Sequence, residues 1–285
     1  MTQTHEAYAG KDLGENQFAC SDEMLAHYFE GLDIDSSRYS NGLLFSDSVA
    51  PAMVVGEVDG GFAGARFDNA FGNLWMRQEW AFRQPIYPNV SYRRTSSVLD
   101  VYEWRNRTVV KQEVTLWSAD DEIIVRGTHH QSYLLNQSSG KVALRDPQSK
   151  EGIRKFTVPD GDAIESVERT IDLEMCGVFF HGNRNYHTDK QASEELGFEE
   201  VVVGGKMTMT LVGDMLEKRF GTGFYRGGRL DIKFTNIVWP DEHLTANGVI
   251  TDRVKENGDT RANVKVWMEK DDGTVVIVGT ASGLE

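Results

Sequence analysis

Cysteine is nearly absent. The 285 residues contain two, Cys20 and Cys176, too few for a disulfide framework, and a reducing, cytoplasmic location fits. Long hydrophobic runs are missing as well. No stretch approaches the length of a membrane span. The opening MTQTHEAYAGKDLG has no basic region followed by an apolar run, so no signal peptide is expected. Positive charge is scarce: 30 Lys and Arg stand against 44 Asp and Glu, a formal net charge of -14. Nucleic-acid binding needs clustered cations to neutralise phosphates, so this balance argues against a nucleic-acid partner and against an anionic membrane surface. It leaves room for one small anionic molecule held by a few local arginines.

What the chain does contain is an ordinary globular composition, 40% hydrophobic and 26% charged, enough for one large domain or two ordinary ones. It also repeats itself. Val114-Thr115-Leu116-Trp117 with Asp120-Asp121 resembles Val264-Lys265-Val266-Trp267 with Asp271, and each leads into a similar ending, Ile124 to Thr128 and Ile277 to Thr280. Upstream, Phe82 precedes Tyr87-Pro88 as Phe234 precedes Trp239-Pro240. The offset is about 150 residues throughout, too long for a solenoid period and right for a duplicated domain.

Each half places a helical pattern before its strands. In the second, Gly204-Gly205 is followed by Met207, Leu211 and Met215 at i, i+4 and i+8, an apolar stripe suited to a buried helix. In the first, Val49 to Val55 occupies the matching place, but Gly56, Gly60, Gly61 and Gly64 weaken it, at roughly 1 kcal/mol each relative to alanine, and predict an irregular element. Strand-like runs such as Thr108 to Trp117 are joined by hairpin turns at Asp120-Asp121 and Asp271-Asp272-Gly273. The expected fold is α+β: two units in tandem, each an antiparallel sheet wrapped around a central helix. The expected boundaries are 15–135, a linker over 136–163 rich in turn residues, and 164–285.

The segment densest in chemistry is Phe179 to Asp189, which holds His181, Asn183, Arg184, Tyr186, His187 and Asp189 between an apolar run and the buried helix. Histidine is the side chain best suited to proton transfer near neutral pH. A helix start offers unpaired N–H groups and partial positive charge, and glycine lets a ligand carbonyl approach the backbone. His187 ahead of Gly204-Gly205 therefore predicts a proton-transfer group facing an oxyanion-stabilising backbone. Taken without that context, the same loop is equally a solvated polar turn.

Tyr186-His187-Thr188-Asp189, then Val201 to Gly205, the helix, and Gly227 to Phe234 resemble the MaoC-like dehydratases, relatives of the R-specific enoyl-CoA hydratases with the hot-dog fold. Gln78 to Phe82 and Tyr102 to Val110 resemble the amino-terminal hot-dog of two-domain members. The resemblance implies a tandem double hot-dog and a hydro-lyase acting on an acyl-CoA. It implies His187 with Asp189 or Asn183 as catalytic groups, and Gly204, Gly205, Arg184 and Tyr186 as oxyanion or substrate contacts. It implies no cofactor beyond the CoA thioester and no metal. A homodimer is left open.

The resemblance also breaks. The family motif carries an aspartate five residues before the histidine, where this chain has Gly182, and in the first half Gly31-Leu32-Asp33 begins the motif but Arg38 replaces the histidine. The first half is therefore expected to shape the acyl pocket, with Trp75, Trp80 and Trp104 as wall candidates. Two alternatives stand beside the hydratase: a hot-dog thioesterase, which needs a carboxylate that Asp214 is too far along the helix to supply, and an idle acyl-thioester binding protein. CoA is itself anionic, and Arg93, Arg94, Lys206, Arg226 and Arg229 are the candidate cations for it. His129, His130 and His243, in or beside strand-like segments, are expected to matter for stability more than rate.

Overall fold

The computed structural model describes residues 6–144 and 156–285; residues 145–155, the middle of the expected linker, lie outside the described residues. The first half supplies β1 (Asp12–Ala19), β2 (Leu74–Phe82), β3 (Ser91–Trp104), β4 (Arg107–Trp117) and β5 (Ile123–Tyr133). The second supplies β6 (Asp162–Thr170), β7 (Arg229–Phe234), β8 (His243–Glu256), β9 (Asp259–Lys270) and β10 (Val275–Leu284). They form one antiparallel sheet in the order β1-β3-β4-β5-β2-β7-β10-β9-β8-β6. Read inward from each outer edge, the two halves have the same strand order, which is the duplication expressed as topology. Trp117 and Trp267 fall in equivalent strands, β4 and β9. The halves meet at β2 and β7, where Gln78 pairs with Ile232 and Trp80 with Leu230.

What each half wraps is not the same. Helix α4 (Gly205–Phe220) is buried around most of its circumference: Met207, Leu211 and Met215 face the core, and Thr208, Thr210, Asp214 and Glu217 are buried too. In the first half the central element is only a six-residue 3-10 helix, Ala52–Glu57. The expectation of a central helix in each half is met by one long helix and one short turn. The two elements touch closely, since a Cβ on Gly213 would lie 2.0 Å from Met53 Cγ. One apolar core runs through both, from Phe18, Tyr92 and Leu116 to Met207, Leu244 and Val266.

Shorter helices flank this frame: α1 (Asp22–Leu32), α2 (Leu173–Phe179), α3 (Lys190–Glu195) and α5 (Thr222–Gly227). Buried carboxylates on α4 reach across to the first half, and each is partnered, as burial requires. Asp214 pairs with Arg38 at 2.5 Å and Lys218 at 2.9 Å. Glu217 accepts from Ala52 N–H at 3.0 Å and from the Tyr225 hydroxyl at 2.7 Å. Burial pushes the Glu217 carboxyl up to about 7 against the opposing pull of the Tyr225 bond. The arginine that replaces the first half's motif histidine thus serves as a structural counter-ion. Cys20 and Cys176 are free and buried. No helix among the described residues is long and apolar enough to cross a membrane.

Candidate active site

Beyond α2 the chain turns through His181 and Gly182, both in the left-handed region at φ 56° and 68°. The loop that follows is closed by its own polar side chains. Asn183 Nδ2 donates to Phe180 O at 3.0 Å, Thr188 Oγ1 donates to Asn183 O at 2.7 Å, and Asn185 Oδ1 accepts from His187 N–H at 2.7 Å. Asp189 caps α3 by accepting from Ala192 N–H at 2.8 Å, and Arg184 bridges it, at 3.1 Å, to Glu195 at 3.3 Å. Asn183, Arg184 and Asp189 therefore shape the loop and lie outside the cavity that His187 lines. In place of the expected pairing with His187, Asp189 caps α3, because a short carboxylate beside a helix start is drawn to its free N–H groups, and Asn183 is held by the Phe180 carbonyl at the end of α2. Gly182 is also outside that cavity. A Cβ there would meet no atom within 4 Å, so an aspartate at this position would point to open surface.

The loop delivers His187 with one tautomer selected. Its Nδ1 lies 2.7 Å from Val202 O. A carbonyl can only accept, so Nδ1 carries the proton and Nε2 keeps the lone pair. The ring stacks on Phe180 (4.7 Å, 15°) and against Tyr186 (3.8 Å, 37°). These neighbours enclose the imidazole on most sides while one edge meets the cavity. Burial pushes its pKa down to about 4; the Val202 bond opposes the shift and Lys206 adds to it. The result is a neutral, oriented base at pH 7.

The start of α4 adjoins it. A Cβ on Gly204 would lie 2.6 Å from Phe180 Cζ, and one on Gly205 2.7 Å from Trp75 Cε3, so both positions require glycine for packing. Met207 and Thr208 N–H already donate to Gly204 O. The N–H groups of Gly205 and Lys206, one step earlier, have no intrahelical acceptor and stand at the positive end of the helix dipole.

His187, Gly205 and Lys206 open onto a cavity of about 800 Å³ between the halves. Its facing wall holds a second pair. Trp75, which covers Gly205, lies 4.6 Å from the ring of His129. His129 Nδ1 is 3.1 Å from Asp59 Oδ2, and its Nε2 is 2.9 Å from Gln131 Oε1. The Asp59 side chain is 8% exposed. Both residues line the cavity, unlike His130, which bonds Tyr102 at 3.0 Å, and His243, which bonds Thr170 at 3.1 Å. Asp59 was not among the candidates the sequence supplied, and His129 was expected to matter for stability more than rate, yet it lines the cavity. The available signal was His129 and Gln131 two apart on one strand, which sets two polar side chains on the same face.

The cations also sort differently from expectation. Arg93 pairs with Asp121, Lys206 with Glu57 and Arg229 with Glu256; Arg226 lies over Phe45, and Arg94 donates to the backbone at Glu57 and Val58. Only Lys206 of these five lines the cavity. Arg66, Arg105 and Arg107 line it as well, and among the described residues none has a carboxylate partner. Arg107 donates to Gly72 O at 2.7 Å and Ser132 Oγ at 3.1 Å, while burial lowers its pKa. Of the three tryptophans expected as pocket walls, Trp75 and the half-exposed Trp104 border the cavity and Trp80 is buried in the core; Trp239 lines the cavity as well.

With this geometry in place, the comparisons are specific. Residues 158–273, which contain the His187 loop and α4, match the MaoC-like domain family. A solved MaoC-like dehydratase superposes on 98% of this chain and 99% of its own with TM-score 0.70 at 13% identity. A MaoC-like dehydratase from Phytophthora capsici covers 97% of this chain and 95% of its own (TM-score 0.67, 14% identity). A Mycobacterium tuberculosis protein described as having a double hotdog fold covers 98% and 96% (TM-score 0.65, 10% identity). At such identities the likeness establishes the fold, an α+β double hot-dog; His187, Gly204 and Gly205 lie within the segment that is similar to the MaoC-like domain. No curated protein sequence matches the chain.

Proposed function

We propose that this chain is a hydro-lyase that adds water to, or eliminates it from, an acyl-CoA thioester. The observation that carries the reading is the neutral His187, its Nδ1–H spent on Val202, beside the free N–H groups at the start of α4. The thioester carbonyl binds at Gly205 and Lys206 N–H, where charge developing on its oxygen is stabilised by about 3–4 kcal/mol per good donor. His187 Nε2 takes a proton from water as its oxygen attacks the β carbon, and a proton is delivered to the α carbon. Water addition needs an acid as well as a base. The absent motif carboxylate is replaced, in this reading, by the Asp59–His129 pair on the facing wall. Arg66, Arg105 and Arg107 supply the local positive charge that an anionic CoA needs in an acidic protein.

The experiment follows the absorbance of conjugated enoyl-CoA substrates with wild type, His187→Ala, His129→Ala and Asp59→Asn. Wild type turns over, and His187→Ala removes nearly all activity. His129→Ala and Asp59→Asn each slow the reaction at least tenfold, about 1.4 kcal/mol of barrier. Absence of wild-type turnover across a broad acyl-CoA panel, with tight CoA-ester binding retained, would replace this reading with a binding protein. Thioesterase chemistry would show as free thiol release; Asp214 is not available for it, being committed to Arg38 and Lys218.

A further inference from the structure

Away from the cavity, α1 carries Glu23, His27 and Gly31 at intervals of four, so the three share one helical face. That face lies against α2: a Cβ on Gly31 would stand 2.6 Å from Phe179 N, so the two backbones are in contact there. One turn back along the same face, the ring of His27 lies 4.1 Å from that of His181, tilted by 44°. The backbone of His181 is held by the end of α2, its N–H donating to Val178 O at 3.0 Å and the next N–H, of Gly182, to Gly177 O at 2.8 Å. Packing of the two helices thus brings together one carboxylate and two imidazoles whose ligand-capable atoms all lie within 4.8 Å of one another. The Nδ1 atom of His27 is buried and has no hydrogen-bond partner. Buried polar atoms are rarely left so.

We propose that Glu23, His27 and His181 form a binding site for a divalent transition-metal ion of the zinc type. Two imidazoles and a carboxylate are a donor set that suits zinc and its neighbours, whereas calcium and magnesium take oxygen shells. With bonds of about 2.0–2.1 Å, tetrahedral ligand atoms stand about 3.4 Å apart. Glu23 and His181 are exposed and His27 is partly buried, so the proposed coordination draws the two exposed side chains in toward His27. The fourth position faces solvent. The bound ion joins α1, in the first half, to the start of the loop that carries Phe180 and His187 in the second. This site differs from the expectation of no metal, because its ligands come from opposite halves of the chain and only the packing of α1 on α2 makes them neighbours.

The test is a Zn²⁺ titration of the intact protein against a chromophoric chelator, with Co²⁺ visible absorption as a second measurement. The proteins compared are wild type, Glu23→Gln, His27→Ala and His181→Ala. Wild type binds one equivalent at micromolar concentration or tighter and gives the intense bands of low-coordinate Co²⁺. Glu23→Gln and His181→Ala, both at exposed positions, bind at least tenfold more weakly. Zn²⁺ raises the Tm of wild type and leaves that of His181→Ala unchanged. Wild type without stoichiometric binding overturns the proposal, as does equal affinity in wild type and these two exposed-site variants.

Discussion

If His187 is held neutral by burial, replacing it must change how stability depends on pH as well as stopping turnover. The imidazole falls from its ordinary 6.5 to about 4 in the folded protein. One pKa unit corresponds to about 1.4 kcal/mol, so the full effect is on the order of 3 kcal/mol. The sign follows from which state takes the proton first. As pH drops below 6.5 the unfolded chain protonates while the folded chain does not, so the contribution is complete above 6.5 and is lost as pH falls through about 4. By pH 5 roughly 2 kcal/mol of it is gone. His187→Gln retains a donor for Val202 O but does not titrate. In urea denaturation at pH 7.5 and pH 5, wild type should lose about 2 kcal/mol more than the variant. The same pKa governs catalysis: kcat/KM should stay level down through pH 6 and 5 and fall only toward pH 4, where the free base is lost. An acid limb between pH 6 and 7, or parallel stability changes in wild type and His187→Gln, would refute the desolvated-base argument.

Three other perturbations follow from the same structure. Gly205→Ala places a methyl 2.7 Å from Trp75 Cε3; displacing that ring from the helix start should lower kcat by about 10²-fold, the cost of one lost oxyanion donor, with circular dichroism unchanged. Glu217→Gln tests the opposite pH sign. Its carboxyl is raised from 4.5 to about 7, so its contribution is full below 4.5 and lost as pH rises through 7, on the order of 3 kcal/mol. Denaturation midpoints of the glutamine variant should be flatter across that range than those of wild type. Arg107→Ala should raise KM for an acyl-CoA severalfold, with a smaller change for the matching pantetheine thioester that lacks the nucleotide; equal changes for both would remove Arg107 from phosphate recognition.

The duplication, the alternating strand runs, the long buried helix and the weakness of its first-half counterpart are all local properties. Alternation, the i, i+4, i+8 stripe of Met207, Leu211 and Met215, and the cluster of glycines after Val55 each act within a few residues, so the chain order alone determined them. The same holds for His187 and Gly204-Gly205, which lie near one another in sequence and meet because a short connection cannot carry them apart. What only the tertiary structure decided is which polar groups are partners. Asp189 is two residues from His187 yet turns to cap α3, since a free helix N–H is a nearer and better-oriented donor. Asp59 and His129 belong to the other half of the molecule and reach the cavity through the joining of β2 to β7, a long-range pairing with no local signature. Arg38 finds Asp214, and Glu23 and His27 find His181, by the same means. Backbone periodicity is written residue by residue, whereas the pairing of buried charges and bases depends on which surfaces of two distant segments are pressed together.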